Sequence, residues 1–547
     1  MHRDTVARRR TWRSSAALMV VLALALLAAA CGGDDSDDTS GTGGTTAPGA
    51  TTAPGETPAD VDAGGILRYG QDLMASGGVK LDPTQMNTPT EHWMLRLIYD
   101  SLLRPTADGG FEPGLAKEAT IVDPSTIHLV LQEGVSFQDG TPFNAEAVKF
   151  SIERNAAANK VQTFRMAELG QIESIDVENE LELTIRLKLP IAGSFYPLLA
   201  DGETIVVSPT AAQSGQDLHE EPVGAGPFRL VSYEPERLLK LEKWDGYFQA
   251  DEIKLAGVEF VHTTAGTAME NALRSRAIDA GPVSSQTSAE AMEAAGFNAR
   301  IESDENTIVW MSMQCAQYPV FQDLRVRQAL AHAVDREALN QALYQGKGGV
   351  MSGLWPEGHK YLPEELEGAY AYDPDQARQL LQEAGQANLS LRLMHATTPV
   401  AQRFAEVVQQ SMAEAGIRLE LVPSANTVQD YYLDKKAELF VTTQSRMWTD
   451  KLTRNFAPGS TGNTCDPQSE EFTEAMNAVR GFEPGSDDAI PAWHEAQRLL
   501  SDDARAIWGV FGTQSLVWND RVGNPSFTVS QLGVPHLDIR NVYVKQN

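Results

Sequence analysis

Two spacings of apolar residues alternate along most of this chain. In residues 127–137 (IHLVLQEGVSF) and 181–190 (LELTIRLKLP), apolar and polar positions take turns, the period of a half-buried strand. The stretch between them changes period. Asp139-Gly140 marks a turn, Asn144 stands as an N-cap, and a helix is expected from Ala145. Residues 372–385 repeat the helical pattern: Asp373 caps, Pro374 takes the first turn, Leu380, Leu381 and Ala384 share a face, and Gly385 stops the helix. AQRFAEVVQQSMAEAG predicts another helix, closed by Gly416 and followed by a strand. Strands and helices intermingle from end to end, so the class is α/β or α+β. Neither coiled-coil heptads nor a repeat array is present in the sequence.

The first thirty residues break the pattern. Arg3, Arg8, Arg9, Arg10 and Arg13 precede an uncharged stretch, residues 16–30. That stretch is shorter than the roughly 20 residues of a spanning helix and suits the apolar region of a signal peptide. Ala28, Ala29 and Ala30 come just before Cys31, and LLAAAC resembles a bacterial lipobox. The resemblance implies cleavage after residue 30 and acylation of Cys31, which would tie the protein to the outer face of the cell membrane. Ordinary secretion with a free Cys31 is the alternative. Residues 32–65 contain no aromatic residue, Lys or Arg. Such a segment buries too little to fold and is expected to act as a flexible tether.

About 480 residues remain for the folded body, enough for two or three domains. The net charge is −30. Residues 1–30 carry five Arg and one Asp, so the chain beyond them is near −34. That balance excludes a general nucleic-acid binder, which needs basic patches. Once Cys31 is acylated, Cys315 and Cys465 remain. In an oxidising compartment the two suggest one disulfide, with two separate buried thiols as the alternative.

Several stretches, in order, resemble one family. They are GGILRYG, LDPTQ, LIYDSLLRP, FEPGLAKE, GVSFQDGTPFNAEAVKFSIER, PVGAGPFRL and FQDLRVRQALAHAVDREAL. The chain is similar to the extracytoplasmic solute-binding proteins of peptide-type ABC importers, the oligopeptide-, dipeptide- and nickel-binding type of family 5. The resemblance implies an α/β, two-lobed, type II clamshell with an extra domain in the first lobe. Residues 66–85, 222–306 and 510–547 would form the first lobe, 86–221 the extra domain, and 307–509 the second lobe. Hinges would lie near 306 and 510. A small solute or peptide would be captured between the lobes and delivered to ABC permease subunits by a monomer. No covalent chemistry, cofactor or resident metal is expected. Gly224 and Gly226 are expected to permit a tight turn, Asp139 to form a turn, and Arg325 and Arg327 to make ion pairs within a lobe.

The same resemblance points to ligand contacts. Peptide binders of the family hold the ligand's amino end with an aspartate just after a tryptophan. Here SRMWTDKL offers Trp448 and Asp450, one residue closer together than in that pattern. A carboxylate in a partly dry cleft is a strong partner for an ammonium, and Trp supplies an apolar or cation–π wall. Arg446 would suit a carboxylate instead, and Asn463 falls at a family position near the cleft. From the first lobe, the stretch after LDP nominates Asn87, Thr88, His92 and Trp93, with Trp93 as core the alternative. Trp310, Gln314 and Trp355 complete the candidates.

Other classes find less support. A glycosidase needs two carboxylates across the scissile bond, and no pair stands out among 74 acidic residues. H-E-x-x-H, G-x-S-x-G and phosphate-loop motifs are missing from the sequence. A binding protein serving a sensor or a chaperone role remains a further reading.

Overall fold

The computed structural model describes residues 60–74, 78–86, 89–106, 110–158, 169–283, 285–445, 455–456, 462–465, 469–529 and 535–546. Cys31 and the expected tether lie outside this set, apart from residues 60–65. Ten strands build the main sheet: β1 (Ile66–Gln71), β2 (Phe228–Glu234), β3 (Leu238–Lys243), β4 (Gly257–His262), β5 (Ala280–Val283), β6 (Asn298–Met313), β7 (Ser390–Ala396), β8 (Arg418–Ser424), β9 (Leu439–Ser445) and β10 (Ala506–Trp518). Their order is β8-β7-β9-β6-β10-β5-β1-β4-β3-β2, with a short strand, Gly349–Val350, added beside β10. β1 runs parallel to β4 and β5, and β7 parallel to β8 and β9. The two halves meet at the antiparallel pair β6–β10.

That pair is a ribbon running through both halves. It is paired from Asn298↔Trp518 to Ser312↔Ala506. Its register breaks between Asp304, opposite Gly512, and Ile308, opposite Phe511. A bulge of this kind interrupts the ladder and bends the strand. On one side of the break, side chains of the ribbon alternate between two cores. Leu516 and Trp518 join Tyr69, Phe260 and helix α1 (Pro89–Tyr99), whereas Val517 joins Met269, Leu273, Ala289 and Met292. On the other side, Val309, Met311 and Ile507 enter one core while Ile308, Trp310 and Trp508 enter another. Each half therefore has its own cores on both sheet faces.

A separate four-stranded antiparallel sheet, of Ala116–Asp123, Thr126–Leu131, Glu182–Leu187 and Ile172–Asn179 in that order, forms the third body. Helix α2 (Ala145–Ala158) covers it, started by Asn144, whose side chain accepts from the Ala147 N–H at 3.0 Å. Its core draws on residues from Leu102 to Ala200, with Val206 and Ala225. Buried residues of α1, and Ile205, Val207, Ala211 and Leu218, pack instead with the main sheet.

Three of the motifs meet where this body joins the main sheet. The Gln138 side-chain amide donates to the carbonyls of Phe228 (2.9 Å), Ile98 (3.1 Å) and Gly226 (3.4 Å). Its backbone N–H donates to Gly224 O at 2.9 Å, and Gly226 N–H donates to Ile98 O at 2.9 Å. Neither Gly224 nor Gly226 has a positive φ, so the expected tight turn is not why they are glycines. A Cβ on Gly224 would strike Ile98 O and Tyr99; one on Gly226 would come within 2.6–2.8 Å of Ile98 and the Asp100 nitrogen. Backbone lies against backbone, and only glycine leaves the room. Beside them Asp100 holds φ at +58° while its carboxylate takes Arg104 (2.6 Å) and the Tyr247 hydroxyl (2.8 Å). Burial pushes that carboxyl up, and Arg104 outweighs it, leaving it below the ordinary range.

The remaining expectations resolve into local structure. Asp139 accepts from Thr141 N–H (2.9 Å) and from the Ser208 hydroxyl (2.5 Å), with Gly140 at φ +82°. Arg325 pairs with Asp323 at 2.6 Å, and Arg327 binds the Phe321 and Asp503 carbonyls at 2.7 Å. Asp373 caps Pro374–Glu383, and Gly385 and Gly416 hold φ at +71° and +79°. Gly226→Ala should cost about 1–3 kcal/mol of stability through overpacking, read as a lower urea midpoint at unchanged m-value; an unmoved midpoint contradicts the close-approach account.

Candidate functional site

The described first-lobe candidates, His92 and Trp93, lie near the start of α1. His92 is buried one turn into the helix, and its Nδ1 meets Asp201 Oδ1 directly. Asp201 also accepts from the Gly202 N–H at 2.8 Å. Glu203 is buried beside them, and donor atoms of His92, Asp201 and Glu203 all lie within 4.8 Å of one another. A Cβ on Gly202 would collide with Met86 and come within 3.1 Å of the His92 ring. The 201–203 turn is therefore pressed against the chain that leads into and out of residues 87–88. One imidazole and two carboxylates are a donor set that suits borderline divalent cations or an ammonium. Here the imidazole–carboxylate contact already engages two of the three. Asp201 and Glu203 were not singled out by sequence; two acids flanking a glycine in the otherwise apolar YPLLADGETIVV were the available signal.

Trp93 faces the other way and belongs to the first-lobe core rather than to a solute. It lies edge-on to Tyr69 (5.0 Å) and Phe260 (5.2 Å) and is stacked on His536 at 4.4 Å. His536 is buried, and its Nε2 has no hydrogen-bond partner among the described residues. Burial pushes this imidazole down to about 3, and Arg96 adds to the shift.

The second-lobe side centres on Trp310 of β6. Its ring stacks on Phe456 at 6.0 Å and tilts against Trp508 at 5.5 Å. Its Nε1 is buried without a hydrogen-bond partner among the described residues. Gln314, four residues on, is spent on the fold: its Nε2 donates to Tyr431 O at 2.8 Å and its backbone N–H to Glu438 O at 3.0 Å. Asn463 is likewise structural, with Nδ2 donating to Phe456 O at 3.2 Å. Trp355 is buried among Tyr361, Trp493 and His359, stacked on the last at 4.3 Å. It packs the lobe instead of lining a cleft. Cys315 and Cys465 are joined in a disulfide, Cα–Cα 4.5 Å, which pins Asn463 and Thr464 to the end of β6. Asn87, Thr88, Arg446, Trp448 and Asp450 lie outside the described residues.

Two lobes with separate cores, joined by two strands of one continuous sheet, define the two-lobed class of binding proteins. Comparison with known proteins makes this specific. The family model for bacterial extracellular solute-binding proteins, family 5 Middle, matches residues 110–463, and the chain belongs to this family. It is 29% identical over 362 residues to the glutathione-binding protein GsiB of Escherichia coli O1:K1, covering 64% of this chain and 68% of that protein. Among solved structures it is similar to DppA of Helicobacter pylori in complex with the peptide STSA. The TM-score is 0.70 at 20% identity, over 89% of this chain and 99% of that one. It is also similar to NikA of Staphylococcus aureus in complex with Ni(L-His)2. There the TM-score is 0.69 at 18% identity, over 88% and 100% of the two chains. The type II clamshell expected from sequence is the fold these structures share, and the protein is an extracytoplasmic solute-binding protein.

His536 makes the first lobe sensitive to acid. Folded, it stays neutral down to about pH 3; unfolded, it takes a proton near its ordinary value of about 6.5. Its contribution is therefore complete above that pH and lost below it, at about 1.4 kcal/mol per pH unit. His536→Phe should flatten this slope. Between pH 6.5 and 5 the stability gap between wild type and variant should move by about 2 kcal/mol in the variant's favour, measured by urea unfolding. Parallel pH profiles would contradict the assignment.

Proposed function

We propose that the protein captures a peptide, a peptide-like amine or another polar small solute between its lobes and hands it to the permease of an ABC importer. The carrying observation is the family match over residues 110–463, spanning most of the third body and the second lobe. The β6–β10 ribbon adds physical support: two separately cored halves joined there can pivot about the register break, near the expected hinges at 306 and 510. In this reading the first lobe is 66–85, 222–306 and 510–547 together with α1 and residues 205–218, whose buried side chains join its core; this corrects the expected extra domain from all of 86–221 to the remainder of that range, and the second lobe is 307–509.

Asn87 and Thr88 contact the solute from the first lobe, with His92, Asp201 and Glu203 holding their chain in place. Arg446, Trp448 and Asp450 contact it from the second, with Asp450 taking a ligand amine. Trp310 Nε1 supplies a fixed donor. The protein works as a monomer, anchored by acylated Cys31 through a tether shorter than the expected 32–65, because residues 60–62 are already paired with Val544, Lys545 and Gln546.

The related protein's glutathione and the similar structure's peptide share a charged α-amine and α-carboxylate, so these are the first probes. Glutathione, short peptides and Ni(L-His)2 are screened by thermal shift. One of the first two should raise the melting temperature saturably, by about 2.7 kcal/mol of linkage at a hundredfold excess over Kd, without turnover. Asp450→Ala should abolish the rise given by an amine ligand; an undiminished rise removes Asp450 from the site. Failure of every solute class tested counts against the import reading.

A further inference from the structure

The third body and the second lobe touch at a seam formed by none of the candidate solute contacts. Ala192–Phe195, a short helical turn after the four-stranded sheet, packs against the end of helix α3 (Glu470–Gly481). A Cβ built on Gly193 would overlap the Phe482 carbonyl and lie 2.8 Å from its amide nitrogen. One built on Gly481 would lie 3.3 Å from Pro124 Cβ and 3.5 Å from Pro190 O. Glu483 is close enough to Tyr196 to help raise its phenol, after burial, to about 12. The seam thus matches small and cyclic residues on both sides: Pro124, Pro190 and Gly193 against Gly481 and Phe482.

The two sides belong to different bodies. Phe195 and Tyr196 lie in the core of the four-stranded sheet, and Val223 and Phe248 tie that core to the first lobe's. Phe482 packs on the second-lobe core that holds Trp310 and Trp493. Among the described residues, the lobes are also joined through the β6–β10 ribbon and by contacts close beside it, such as Lys347 with Glu290 (2.7 Å) and Thr287 with Gln345 (2.9 Å). A swing about the register break would move distant points most, and the Gly193–Phe482 seam is a contact such a swing would part. It lies on the sheet face that carries Trp310 and Phe456.

We propose that this seam is a closure latch: backbone contact at Gly193 stabilises the shut lobes whatever solute they hold, and so sets affinity from outside the binding site. Gly193 has no positive φ, so alanine there is conformationally acceptable, and the added methyl acts only on the seam. The proposal rests on the clamshell reading above but not on the identity of the solute.

The test compares the purified full chain with Gly193→Ala and Gly481→Ala. By small-angle scattering without solute, Gly193→Ala should have the larger radius of gyration, the tether being common to both chains. Its Kd for glutathione should rise about tenfold, the scale of an overpacked contact, at a melting temperature within about 2 °C of wild type. Gly481→Ala, with looser contacts, should shift the same way by less. An unchanged radius of gyration overturns the latch. So does a large fall in melting temperature, because the seam would then be a permanent part of the fold. If wild type does not bind glutathione, that solute is wrong, and the scattering comparison still decides the latch.

Discussion

Everything in this molecule hangs on the hydrogen-bonded pairing of β6 with β10. Both strands are long enough to serve two halves, and both sheet faces of each half are sealed by cores that stop at the register break. At 16 and 13 residues they are well beyond the usual strand. A loop or helix at this crossing would let the lobes drift in every direction. A two-stranded ribbon resists shear along its length and yields mainly to twist and bending at its bulge. Gly509 sharpens the point: its Cβ would run into Val309 O and the Phe404 ring, so the strands and the second-lobe core approach there as closely as backbone permits.

The most recognisable motifs serve the junction and not the solute. Gln138 of the SFQDG stretch, Gly224 and Gly226 of PVGAGPF, and Ile98–Asp100 of LIYDSLL form one knot of backbone hydrogen bonds. Each demands a particular residue: an amide able to donate to more than one carbonyl, glycines with no Cβ, and an aspartate tolerating a left-handed backbone beside two donors. Such demands are set by the junction and not by any solute, so these stretches carry information about the fold and none about the cargo.

How far the sequence could be read follows the same division. Capped helices and alternating strands rest on local rules, and the structure has them close to where periodicity puts them, although the two strands stop at Leu131 and Leu187, short of residues 137 and 190; the cysteine pair, 150 residues apart, rested on count and compartment instead. The site candidates were harder. Trp93, Gln314, Trp355 and Asn463 are residue types that serve a cleft or a core equally well, and only packing tells the two apart. Asp201 and Glu203 were missed because their significance comes from His92, more than a hundred residues away in sequence. Gly193 looked like any glycine. Its constraint comes from Phe482, in a different body of the fold.

The disulfide ties two stretches of the second lobe that lie far apart in sequence. β9 leaves the sheet at Ser445, opposite Thr307, and the chain is clipped back at Cys465 to Cys315, just past the other end of β6. Thr307 and Met313, the last residue of β6, are six strand residues apart, about 20 Å at 3.4 Å per residue. Phe456 rests on Trp310, between them. Closing a loop over the 150 residues separating the cysteines removes about 5 kcal/mol of chain entropy in the loop-closure account. The covalent clip and the aromatic stack therefore fasten Cys465 and Phe456 to β6 and its end by two independent attachments, one covalent and one a matter of packing.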